Sequence, residues 1–198
     1  MKNICAAISA TAILALSVNA QANPTPYAPA GTPNATTYTF TAASTGALIA
    51  YFAGSTAGYT NDLGLRVNGV DTGIYGLNNH TSAYGQQLNF GSVNAGDILV
   101  FILHNISPGS VGPWYSQQSL NSDGVNHVYS AAYAGDIIIP AGTFVAFEDL
   151  PNGGDFNYND EDFVFTNVAT SGSVPEPGTL ALLGLGIAGL GFLRRRKA

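Results

Sequence analysis

Cysteine is almost absent from this chain: the one in 198 residues is Cys5, at the head of an apolar N-terminal run. It stands at the start of that run and not after it, so it cannot be a lipoprotein attachment site, and cleavage of the run would remove it. The rest of the chain has no thiol nucleophile, no disulfide framework and no thiolate metal site. Positive charge is nearly as scarce. Six Lys and Arg stand against twelve Asp and Glu, a net charge of −6. Between residues 23 and 173, Arg66 is the sole Lys or Arg against eleven acidic residues, a net of −10. A surface with one such cation cannot neutralise phosphates, which excludes nucleic-acid binding and attraction to anionic lipid. Small cations are its natural partners. Helical periodicity is missing too: no 3.6-residue apolar pattern of useful length runs from Asn34 to Ser173.

What is present begins with two addresses. Lys2, the apolar run Ile4 to Val18 and the small-residue site Ala20-Gln21-Ala22 read as a secretory signal peptide over 1–22, cleaved after Ala22 or Ala20. At the other end, Val174-Pro175-Glu176-Pro177 precedes an apolar segment over 178–193 and the basic tail Arg194-Arg195-Arg196-Lys197. The prolines remove backbone donors and restrict their neighbours, so Pro175-Glu176-Pro177 reads as an exposed spacer. The apolar segment would span about 24 Å as a helix, short of a hydrocarbon core of about 30 Å, and the basic cluster stops transfer on the cytoplasmic side. This tripartite tail resembles the PEP-CTERM sorting signal of Gram-negative bacteria that make exopolysaccharide. The resemblance implies that an exosortase cuts near Pro175-Glu176-Pro177 after transient insertion of 178–193 in the inner membrane. The product would then lie at the cell surface or outside the cell.

Residues 23–35 hold four prolines without a period and suit an extended leader. From 36 to 170 short alternating runs recur: Tyr38 and Phe40; Leu48 with Phe52; Leu63, Leu65 and Val67; then 98–103, 137–139, 144–147 and 163–168. Each places apolar residues on one face of a strand, with Gly, Asn, Ser and Pro between. The expected architecture is all-β: an antiparallel β-sandwich, jelly-roll-like, flanked by an N-terminal signal helix and a C-terminal apolar helix within 171–198. Two Ala-Gly-Asp turns, at 95–97 and 134–136, enter similar apolar runs, which reads as shared turn chemistry.

The densest polar stretch is 147–162, which holds six of the eleven acidic residues. So many carboxylates repel one another unless a cation sits among them, and in the mature region no Lys or Arg lies within eighty residues. Calcium takes six to eight oxygen ligands, and Gly153-Gly154 lets the backbone turn around such an ion. The candidate ligands are Glu148, Asp149, Asp155, Asn157, Asn159 and Asp160. Asp155, Asn157 and Asn159 match the opening positions of an EF-hand, but Asp160 and Thr166 stand where glycine and glutamate belong, so it is no EF-hand. On a strand Glu148 and Asp149 would point to opposite faces, so at most one is expected to join a given ion. The alternative is that Asp155, Asn157 and Asp160 hydrogen-bond the loop backbone as Asx turns.

Phe147 to Leu150, Gly153 to Asp155 and Tyr158 to Asp160, with Asn121 to Val128 upstream, resemble a bacterial extracellular domain family of unknown function over about 85–168. That resemblance implies an extracellular, calcium-binding domain without established enzymatic activity. Asn157 departs from the aspartate common there, which lowers ligand charge.

Other constellations are weaker. His80, His104 and His127 lie in separate segments, which disfavours zinc. No Gly-x-Ser-x-Gly elbow is present, and Glu148 with Asp162 is the one carboxylate pair to nominate for a glycosidase. Trp114, Tyr115, Tyr129 and Tyr133 could stack on sugars or fill a core. The reading favoured is a non-enzymatic exported protein of the polysaccharide or biofilm matrix, its acidic loop stiffened by calcium. The alternative is a carbohydrate-binding or carbohydrate-active matrix protein.

Overall fold

The computed structural model describes residues 27–173. The signal peptide, the Pro175-Glu176-Pro177 motif, the apolar segment 178–193 and the basic tail lie outside the described residues. Among those described, no helix is long and apolar enough to cross a membrane.

Eleven strands form two antiparallel sheets packed face to face. They are β1 (Thr37–Ala42), β2 (Gly46–Gly54), β3 (Asn61–Val67), β4 (Val70–Gly76), β5 (Gln87–Val93), β6 (Ile98–Asn105), β7 (Trp114–Tyr115), β8 (Val128–Tyr133), β9 (Gly142–Phe147), β10 (Glu161–Thr166) and β11 (Val168–Ser173). The first sheet runs β11-β1-β6-β3-β4, with the short β7 on β6, and the second runs β5-β2-β10-β9-β8. First pairs with last and second with penultimate, so the chain closes the sandwich with its own ends, as in a jelly-roll-like fold.

The alternation of apolar residues explains the layering. Phe40, Leu63, Leu65, Leu99, Phe101 and Leu103 from the first sheet meet Leu48, Ala50, Phe52, Val145, Phe147, Phe163 and Phe165 from the second in one buried core. Phe101 and Phe165 stack across the sheets with ring centroids 3.9 Å apart. The opposite face of the second sheet is covered as well. Tyr51, Phe144, Ala146 and Val164 pack there beneath Tyr158 and Ile139, with Tyr27 and Phe156 over them. The Pro-rich leader and the acidic loop therefore act as a lid on that face.

The turn between β3 and β4 is a two-residue hairpin in which Asn68 and Gly69 both adopt positive φ, 49° and 82°. That is the conformation matching the twist of the flanking strands, and it selects Asn-Gly. One expected strand is absent: residues 137–139 form no ladder, and Ile137 is 95 % exposed. Asp136 Oδ1 accepts from the backbone amides of Ile138 and Ile139 at 2.7 and 2.6 Å, so a side-chain-closed turn takes these residues out of the sheet.

Candidate metal centre

Four chain segments converge at one end of the sandwich. In the first sheet Asn61 opens β3 opposite Asn105, which closes β6. In the second sheet Glu161 opens β10 opposite Phe147, which closes β9. Past Phe147 the two strands part. The Glu148 amide donates to His127 O at 2.9 Å, and the Asp160 amide returns to Phe147 O at 3.0 Å. The excursion between them contains a single 3-10 turn at Pro151–Gly153.

Strand alternation therefore stops before Glu148, and this corrects the expectation that Glu148 and Asp149 diverge. Carboxylate oxygens of Glu148, Asp149 and Asp160 lie within 4.8 Å of one another. Glu148 and Asp149 are buried, at 1 % and 3 % exposure. Asp160 Oδ2 accepts from the Asp149 amide at 2.9 Å, and Asp149 Oδ2 accepts from Asn61 Nδ2 at 2.8 Å. Gly154 has φ 48° and ψ −118°, and a Cβ there would run into the Glu148 carboxylate. Glycine is the residue that lets the loop lie this close.

Several oxygens in this region are left without a partner. Glu148 Oε2, both carboxylate oxygens of Glu161, Asp162 Oδ1 and Asn61 Oδ1 are buried and make no hydrogen bond. Buried polar atoms are otherwise almost always satisfied. Desolvation raises the Glu148 carboxyl well above its ordinary range, helped by the carboxylates of Asp160 and Asp155. Burial raises Asp149 too, against the lowering effect of its bond from Asn61. Asp162 is pushed up to about 7 by burial and by Asp160. Holding these groups ionised in such surroundings requires a positive partner.

Protein cations do not supply it. Among the described residues Arg66 is the one Lys or Arg. It donates to Gly69 O through Nε and Nη2 and lies over the Tyr115 ring at 5.9 Å. His127 is fully buried and stacks on Trp114, with centroids 4.0 Å apart. Its two ring nitrogens face Glu148 O at 2.8 Å and Asp123 Oδ2 at 3.0 Å. It props the loop from beneath through the Glu148 carbonyl, and its one carboxylate contact is with Asp123, outside the Glu148, Asp149 and Asp160 cluster. An all-oxygen set of carboxylates beside an amide is the donor chemistry of a hard divalent cation, calcium above all.

The other three candidates sit elsewhere. Asp155 is exposed, and it accepts from the Asn157 amide at 3.1 Å and from Asn157 Nδ2 at 2.8 Å. Asn157 Oδ1 accepts from the Asn159 amide at 3.1 Å, and Asn159 Oδ1 accepts from Thr56 Oγ1 at 2.7 Å. These are consecutive Asx turns that shape the loop's outer rim, and Asp155 is not among the carboxylates that lie within 4.8 Å of one another. Asn61, Glu161 and Asp162 also bring buried oxygens to this end, and local sequence spacing does not single them out. The polar pairs Asn61-Asp62 and Glu161-Asp162, each opening an otherwise apolar strand, were the available signal.

The remaining constellations disperse. His80 is exposed on a turn, and His104 meets Tyr75 edge-on at 5.2 Å. Trp114 is fully buried, and its indole donates to Asp149 O at 2.7 Å. Tyr133 is buried on β8, bonded to Asp136 Oδ2 at 2.7 Å. The four aromatics thus divide between the two sheets and form no common stacking surface. Glu148 and Asp162 do not line the groove of about 600 Å³ that runs along β1 and β6.

Fold and site together define an acidic β-sandwich with buried carboxylates gathered at one end. The chain belongs to the family described as domain of unknown function DUF4114, which matches residues 56–167. Residues 173–197 match the PEP-CTERM protein-sorting motif, the signal that exosortase recognises on proteins exported across the inner membrane to the cell surface or beyond. No curated protein and no solved structure matches the chain.

Proposed function

We propose that this protein is a non-enzymatic β-sandwich of the extracellular polysaccharide or biofilm matrix, with calcium held by Glu148, Asp149 and Asp160 locking the acidic loop to the sandwich. The observation that carries the reading is the buried, unpartnered Glu148 Oε2 beside two further carboxylates, in a domain without a free protein cation among its described residues. The sorting motif implies export of such a domain across the inner membrane, which supports the reading. The ion ties the end of β9 to the start of β10 and, through Asn61, to the first sheet. Exopolysaccharide is the proposed partner, and exosortase acts on the chain before it.

Thermal melting of the exported protein in millimolar calcium and in chelator tests this. At calcium near one hundred times the dissociation constant, linkage adds about 2.7 kcal/mol, a rise of roughly 5 °C or more for a domain of this size. An unchanged midpoint removes the metal from the account. Recovery of the protein in the soluble medium, with none in the polysaccharide fraction, removes the matrix role.

A second reading has its own observation. The groove along β1 and β6 carries Thr37, Thr39, Gln117, Gln118 and Ser119 on its walls, hydroxyls and amides suited to sugar hydroxyls. Binding of purified exopolysaccharide that is lost in Gln118→Ala and kept in Glu148→Gln would make the protein a carbohydrate binder.

A further inference from the structure

The Glu148 cluster does not absorb Glu161, whose carboxylate falls outside the set of oxygens within 4.8 Å of one another. We infer that a second hard divalent cation, of the calcium class, binds between the two sheets, with Glu161 as its principal ligand and with Asn61 and Asp149 beside it. This deepens the calcium reading, from which it takes the ion class, and it shares Asp149 with that site.

Glu161 has the strand parity of Phe163 and Phe165, both in the inter-sheet core, so its side chain enters the end of that core and not the loop-covered face. It is fully buried, and neither carboxylate oxygen has a partner. Across from it Asn61 has the parity of Leu63 and Leu65, also core residues. Asn61 is fully buried with Oδ1 unpartnered, while its Nδ2 is engaged by Asp149. Three buried acceptor oxygens without a partner at the polar end of an apolar layer are costly to leave unmet and are the donor type a hard cation takes. Asn105 Nδ2, an orphaned donor on the neighbouring strand, is placed to bond a water carried by the ion.

Protonation alone does not resolve the site. A neutral carboxyl still needs an acceptor for its hydroxyl and a donor for its carbonyl, and neither lies within hydrogen-bond reach. An ion answers all three oxygens at once.

Calcium stoichiometry decides the matter. Exported protein is stripped with chelator, exchanged into calcium-free buffer and titrated with calcium chloride, and bound ions are counted by native mass spectrometry and calorimetry. Wild type is expected to bind two ions, Glu161→Gln one and Glu148→Gln one. Glu161→Gln is also expected to melt above wild type in chelator and to gain about half as much from calcium. One ion in wild type, kept in Glu161→Gln and lost in Glu148→Gln, overturns the second site and leaves the first, with Glu161 neutral and solvated by buried water. One ion lost in Glu161→Gln and kept in Glu148→Gln does the reverse. No ion in wild type overturns both, and the wild-type count stands even if a variant fails to fold.

Discussion

Stripped of divalent cations, this protein will lose stability as pH rises from 5 to 7, the opposite of what an ordinary acidic domain does on leaving acid. Glu148 and Asp149, raised chiefly by burial, contribute to the effect, as does Glu161. Its unfolded value near 4.5 is pushed up to about 10 in the fold, first by burial and then by the charges of Asp62, Asp149, Asp162 and Asp160. Between those values the folded chain keeps a proton that the unfolded chain releases, so stability is full below about 4.5 and drains as pH climbs. One group contributes a slope of about 1.4 kcal/mol per pH unit. From pH 5 to 7 Glu161 alone therefore accounts for about 2–3 kcal/mol, or roughly 5–10 °C of midpoint. Asp162, raised from 3.8 to about 7, acts in the same direction over this window. Asp71 and Asp97 are held below the ordinary carboxylate range, mainly by bonds from Tyr75 and the Asn94 amide, and do not interfere. Circular-dichroism melts in chelator at pH 5, 6 and 7 provide the measurement, and Glu161→Gln should flatten the slope by about one proton. Saturating calcium should cancel the trend, because the ion binds the ionised carboxylates. A chelated wild type whose midpoint is level or rises from pH 5 to 7 refutes the reasoning.

Trp114→Phe, which strips the indole donor from buried Asp149 O, is expected to cost about 1–3 kcal/mol in denaturant unfolding, and Trp114→Ala about 3–5 kcal/mol. Because Trp114 is the only tryptophan and its indole donates to the Asp149 carbonyl, its emission should change on calcium addition in wild type and change less in Glu148→Gln. Asp155→Ala removes Asx bonds at the exposed rim; it should retain most of the calcium-induced rise in midpoint, whereas Glu148→Gln should lose at least half of it. Glu176→Ala, in the sorting motif, should leave precursor in the inner membrane, and the intact mass of the exported product reads the outcome.

The parts of this fold legible in the sequence are those where one residue pattern decides the structure locally. Leu63-Gly64-Leu65 and Phe163-Val164-Phe165 announce buried strands, and Asn68-Gly69 announces a hairpin. Edge strands were harder. β4 and β5 expose alternate positions and carry internal glycines at Gly73 and Gly91, so their apolar signal is thin. The Ile137-Ile138-Ile139 run has strong β propensity, but Asp136 captures its amides first. At the candidate site, crowding of carboxylates in 147–162 was visible as composition. Two physical facts were not: β9 ends at Phe147, which turns Glu148 and Asp149 toward one point, and Asn61 arrives from 88 residues away in sequence to meet Asp149. The longest run of ligand-like spacing, Asp155-x-Asn157-x-Asn159, describes a rim of Asx turns, because short polar side chains bond their own backbone when nothing closer competes.

Calcium among the carboxylates at the β9–β10 end is tested most directly by anomalous scattering from a crystal of the exported protein grown in calcium. A peak is expected about 2.3–2.6 Å from oxygens of Glu148, Asp149 and Asp160. Electron density showing those carboxylates bonded only to water and to one another, with no anomalous peak among them in saturating calcium, would contradict it.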